Sequence, residues 1–158
     1  MYERLQSEAL ELNIDVQERI LKKRIKGLYG DNVIWINKTI ETSIEKACVL
    51  AEEIGHYHTT IGNILEQSIL SNVKQEKLAR KWAYKRMIPL EKLIDCFKSG
   101  CKSRYEIAEM LKVTEEFLEE SLEFYRKKYG TKVKVDDKHI LYLSPLAVLE
   151  NLKGDVKQ

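Results

Sequence analysis

The stretch Glu52-Glu53-Ile54-Gly55-His56-Tyr57-His58 gathers carboxylates and imidazoles at short spacing. Glu52 and His56 stand one turn apart on a helix, so both project to the same side. They extend the ridge Ile44, Cys48, and an apolar stripe therefore runs into a carboxylate and an imidazole. Glu53 continues the neighbouring ridge after Val49. Carboxylates carried towards an interior need a compensating charge or they take up a proton. The chain has 27 Lys and Arg, yet none lies between Ala47 and Val73. A metal cation is a natural compensator for Glu52 and Glu53.

A zinc peptidase asks three things of such a helix. Two ligands one turn apart hold the ion, a carboxylate beside the first accepts a proton from water, and a third ligand comes from elsewhere. Glu53-Ile54-Gly55-His56 supplies the base and the second ligand of H-E-x-x-H. Gly55 lets a backbone or a substrate approach closely. Glu76 is the best third ligand. It follows His56 by 20 positions, opens the next helical pattern, and shares a face with Ala79, Arg80 and Ala83. The competing reading is a solvated charged helix, because isolated E-x-x-H strings are common.

These residues also carry a resemblance. Leu50-Ala51-Glu52-Glu53-Ile54-Gly55-His56, together with Glu76-Lys77-Leu78-Ala79-Arg80-Lys81-Trp82-Ala83 and Met87-Ile88-Pro89, resembles the ImmA/IrrE family of metallo-endopeptidases. The second block is similar to the family pattern E-x-x-A-x-x-F-A with a closing Pro. The resemblance implies that His56 and Glu76 bind zinc and that Glu53 is the general base. It also implies a protein substrate, a phage-type repressor of a prophage or mobile element. The family's first ligand is usually His, and here Glu52 stands in that place. A carboxylate binds zinc, but a His-Glu-Glu set makes the ion less Lewis-acidic and favours harder ions such as manganese. A weak or inactive relative that binds its partner without cutting it is the alternative. His58 replaces the absent imidazole only if the helix unwinds after His56. In a regular helix it lies about 200° away by the roughly 100° step.

The elements that must position these groups are legible in outline. Residues 2–12 read as a short amphipathic helix. Gly30-Asp31-Asn32 between two β-rich runs signals a hairpin, hence a small antiparallel sheet over residues 14–37. The site helix begins between Lys38 and Thr42 and runs to about Tyr57, with Thr59, Thr60 and Gly62 ending it. Further helices span 74–87, closed by Pro89, and 89–98, stopped by Gly100. Residues 103–129 form a helix–turn–helix pair, with Ser103 and Glu106 spaced as a capping box. Residues 131–143 alternate as extended segments. The fold class is thus α+β and mainly helical: a zincin-like domain over 1–100, with a helix–turn–helix-like C-terminal extension over 101–158 packed on it.

Composition narrows the function classes. The chain has 158 residues, 44% of them hydrophobic and 33% charged, and a net charge of +2. That near-neutral balance gives no electrostatic reason to expect nucleic acid or an anionic membrane. DNA binding through 103–128 is further disfavoured by Glu115, Glu116, Glu119, Glu120 and Glu123 on the second helix. No apolar run approaches the roughly 18 residues that span a bilayer, and the N-terminus has no signal-peptide pattern. Cys48, Cys96 and Cys101 form an odd, sparse set without a CxxC pair. That predicts reduced thiols and a cytoplasmic protein, not a disulfide framework.

Overall fold

The computed structural model describes residues 1–60 and 69–150. The chain divides into two compact units, Met1–Met87 with Lys112–Thr114, and Ile88–Leu111 with Glu115–Gln158.

The first unit opens with helix α1 (Tyr2–Glu11), whose Leu5 and Ala9 are fully buried. Strands β1 (Asp15–Arg19), β2 (Gly27–Gly30) and β3 (Val33–Asn37) follow. The expected hairpin joins β2 to β3. Asp31 and Asn32 both take positive φ, 50° and 60°, as a two-residue turn between twisted strands requires. The sheet is mixed where the sequence suggested antiparallel pairing throughout. β1 runs parallel to β3, with Asp15 opposite Val33, and the strand order is β1-β3-β2. The buried Asn37 side chain fixes the long connection from β1 to β2. Its Nδ2 donates to the Ile25 carbonyl at 2.8 Å, and its Oδ1 accepts from the Thr39 amide at 3.1 Å.

Helix α2 (Ser43–Thr60) starts behind Thr42, whose hydroxyl accepts from the Glu45 amide at 3.1 Å. It continues beyond the expected end, through Tyr57 to Thr60; Gly62 lies outside the described residues. Helix α3 (Ile69–Met87) begins earlier than the sequence suggested. Arg86 near its end grips Glu8 of α1, with Nε donating at 3.1 and 3.2 Å. The core between α1, the sheet and these helices is made by Ile14, Ile34, Ile36, Leu50, Ile54 and Ala83.

The second unit contains α4 (Leu90–Lys98), α5 (Arg104–Leu111) and α6 (Glu115–Tyr129). Pro89 precedes α4 and Gly100, at φ +91°, ends it, as expected. The capping box is formed: Glu106 N–H donates to Ser103 Oγ at 3.2 Å, and Ser103 N–H donates to Glu106 Oε2 at 3.0 Å. Strands β4 (Lys132–Lys134), β5 (His139–Leu143) and β6 (Leu146–Glu150) make an antiparallel meander in the order β4-β5-β6. The alternation of 131–143 anticipates the first two strands but not β6. Leu93, Ile107, Leu118, Leu122, Leu141 and Leu143 fill this core. The fold is α+β and mainly helical, as expected. Among the described residues no helix is long and apolar enough to cross a membrane.

Candidate metal centre

Helices α2 and α3 meet at a glycine. A Cβ added to Gly55 would lie 2.4 Å from the Ala79 carbonyl oxygen, so only glycine permits this approach. From that crossing the facing residues run in opposite directions along the two helices. One turn-edge away His56 Nε2 lies 3.2 Å from Glu76 Oε1, and on the other side Glu52 Oε2 lies 4.0 Å from Arg80 Nε. The helices are therefore antiparallel here, and the sequence-predicted Glu76 does arrive beside His56.

Glu53 lies on the sheet side of α2 and is only 8% exposed. Strand β2 covers it. A Cβ on Gly27 would fall 2.8 Å from Glu53 Oε1 and 2.7 Å from Val49 Cγ1, so the strand is pressed against the helix at this point. The Tyr29 backbone N–H donates to the carboxylate. Burial, followed by the charges of Glu52 and Glu76, pushes the Glu53 carboxyl up to about 8, against the smaller downward pull of the Tyr29 amide. Desolvation disfavours the charged form, and like charges add to it. A carboxyl raised this far holds its proton at neutral pH, and a cation placed beside it would restore the charged form that can accept one.

The compensating charge for Glu52 is not confined to a metal. The gap in basic residues between Ala47 and Val73 is bridged across helices by Arg80. This contact is invisible to local spacing, because it depends on how α2 and α3 cross. His58 stacks on Trp82, with ring centres 4.6 Å apart and planes 23° from parallel. Because α2 stays helical to Thr60, the unwinding that would bring His58 beside His56 is absent. Tyr57 packs edge-on to Tyr29 of β2 at 6.0 Å.

Residues 9–123 match the peptidase M78 family, described as the IrrE N-terminal-like domain. The chain belongs to this family. A comparison with curated proteins gave no match. The IrrE N-terminal-like family is one of metallopeptidases, so a divalent ion is the group its members imply. The donors can be tested for fit. Two ligands on a tetrahedral zinc at about 2.0–2.1 Å stand roughly 3.3 Å apart. His56 Nε2 and Glu76 Oε1, at 3.2 Å, already have that separation. Glu52 is turned to Arg80 instead, and among the described residues no three His, Cys, Asp or Glu side chains are gathered to hold an ion. The fit is thus two donors in place and a third held by a guanidinium.

Gly27, Tyr29 and Arg80 are the members of this region that sequence reasoning missed as partners of the site. Only Gly27 left a signal, a glycine inside a β-rich run, which marks close backbone approach.

Proposed function

We propose that this IrrE N-terminal-like protein is a zinc-dependent endopeptidase whose ion is held by His56, Glu76 and Glu52. The observation that carries the reading is the His56–Glu76 contact at 3.2 Å beside a nearly buried Glu53. When bound, the ion supplies Lewis acidity to the scissile carbonyl and to water. Glu53 takes the proton from the attacking water at its carboxylate and passes it to the leaving amine. The Tyr29 amide orients that carboxylate, and the packing of Gly27 keeps bulk water from it. Glu52 would be the third donor if released from Arg80, and manganese is the alternative ion for so acidic a set. The substrate is a helix–turn–helix repressor of a prophage or mobile element, which rests on the family resemblance, and the protein works in the cytoplasm, which rests on its sparse, unpaired cysteines.

Metal analysis of the purified protein, paired with a repressor-cleavage assay of Glu53→Gln and Glu76→Ala, tests this. The expected result is one divalent ion per chain, lost in Glu76→Ala, and cleavage abolished in Glu53→Gln with the ion retained. Equal cleavage by wild type and Glu53→Gln removes Glu53 from the chemistry.

A second reading is favoured by the Glu52–Arg80 contact. If Arg80 retains Glu52, the protein is a relative that binds the repressor without cutting it. A repressor complex of normal affinity, with no ion and no cleavage, is its signature. A DNA-binding regulator gains nothing from α6, whose Glu119 and Glu123 are tied to Arg104, Arg126 and Lys127.

A further inference from the structure

The end of α4 builds a cluster of sulfur that the peptidase reading does not use. Helix α4 closes in a Schellman motif with Gly100 in the left-handed conformation. Cys101 N–H returns to the Cys96 carbonyl at 3.0 Å, and Gly100 N–H returns to the Phe97 carbonyl at 3.0 Å. This motif places the side chains at its third-from-last helical position and its second following position against each other. An apolar pair usually occupies those two positions. Here they are Cys96 and Cys101, which the motif sets side by side. A third sulfur closes on them from α5: Cys101 Sγ donates to Met110 Sδ at 3.7 Å.

The three sulfurs differ in access. Cys96 is fully buried, Cys101 is half-buried, and Met110 is 43% exposed. The cluster therefore opens to solvent on its thioether side and has a closed floor. Burial, then the neighbouring Cys101, pushes the Cys96 thiol up to about 11, so its proton is not shed to water alone. A cation that bonds to sulfur displaces it.

We propose that Cys96, Cys101 and Met110 form a binding site for a soft, thiophilic monovalent cation of the Cu(I) class. Two thiolates and a thioether are the donors that select Cu(I) over harder ions. On binding, two S–H bonds are replaced by two Cu–S bonds, two protons pass to solvent, and the Met110 lone pair completes a three-coordinate set. The bound assembly carries one net negative charge; Asp95 and, more weakly and with the opposite sign, Lys92 are the charged groups acting on Cys96, so the stability of the complex comes from the sulfur bonds and not from the local field. No electron is transferred.

The probe is Cu(I) itself, titrated anaerobically into the reduced full chain against a chromogenic Cu(I) chelator. One ion per chain is expected, with a sulfur-to-copper charge-transfer band. Loss of a direct ligand should exceed the roughly 10- to 100-fold that outer partners cost. Cys101→Ser is thus expected to weaken binding well beyond about 100-fold, and Met110→Leu by about 100-fold, less than the thiolate because a thioether bonds more weakly. Both side chains reach the surface, so the variants should fold, and far-UV circular dichroism checks that they do. Cys48→Ser should bind as the wild type does. Full affinity in Cys101→Ser, an equal loss in Cys48→Ser, or Cu(I) refused by the reduced wild-type chain each overturns the site.

Discussion

Between α2 and β2 a charged side chain sits where an apolar one would otherwise pack, whereas along α5 and α6 charged side chains lie along solvent. Glu53 is covered on one side by the helix and on the other by β2, with its carboxyl pushed up to about 8. Glu119 and Glu123 of α6 are half-exposed and answer to Arg104, Arg126 and Lys127. The second arrangement is inexpensive and worth little, because exposed pairs are screened. The first strains the folded state, because a carboxyl held out of water destabilises its charged form. Stability alone gives no reason to keep Glu53 there. The difference teaches where to look for chemistry: at charges the fold disfavours, not at charges it tolerates.

The largest expected effect is at the crossing of α2 and α3. Gly55→Ala adds a Cβ 2.4 Å from a backbone oxygen, and a backbone cannot rotate aside as a side chain can. Helix propensity favours alanine by up to about 1 kcal/mol. Overpacking of a tight contact costs about 1–3 kcal/mol or more, so the net change is destabilising. Urea denaturation should show a lower midpoint at unchanged slope, and affinity for a divalent ion should fall as Glu76 moves away from His56. A stabilised Gly55→Ala, the result for an ordinary exposed helical glycine, would break the comparison, since α2 and α3 would then not be in register-setting contact.

What could be read beforehand divides along the same line. Features set by neighbours in sequence were legible: the Asp31-Asn32 turn, the Ser103–Glu106 box, the stop at Gly100, and the shared face of Glu52 and His56. Glu76 was placed on the next helix because an i, i+3, i+7 pattern with Ala79 and Ala83 marks a packing face. Features set by distant strands and helices were not legible. The parallel pairing of β1 with β3 depends on a seven-residue connection pinned by Asn37. Strand β6 has no clean alternation, and only its pairing with β5 reveals it. Arg80 shares the Glu76 face of α3, but its approach to Glu52 depends on how the two helices cross. The amide of Tyr29 has no side-chain identity to read.

In the second unit the polar group that matters should be the buried one. Tyr125 donates its hydroxyl to the Ile88 carbonyl at 2.7 Å. Tyr125→Phe leaves that acceptor without its donor, a loss of about 1–2 kcal/mol. Glu123→Ala breaks two exposed contacts, Arg126 at 3.1 Å and Lys127 at 3.3 Å, yet should cost less than about 1 kcal/mol. Thermal melts of the two variants sharpen the comparison by their ratio. An effect of Glu123→Ala equal to that of Tyr125→Phe would mean that the lace of charge on α6 carries weight its exposure does not suggest.

The smallest effect separates an exposed carboxylate held by hydrogen bonds from the exposed ion pairs beside it. Glu106 accepts from the Lys102 amide at 2.6 Å and from the Ser103 amide at 3.0 Å. Those two amides, the Lys102 bond first, hold its carboxyl below the usual 4.5. The folded state then binds a proton less readily than the unfolded chain does. Stability therefore falls with acid, and the contribution of Glu106 is whole above 4.5 and lost as pH drops through the lower folded value. Glu106→Gln has no proton to gain there. Urea midpoints of the two proteins should differ at about pH 7 and converge as the pH falls below the folded-state value of Glu106, while its carboxyl carbon should titrate in NMR below its free value. A gap that stays constant across that range would assign the difference to geometry alone and leave the charge of the capping carboxylate without a part in stability.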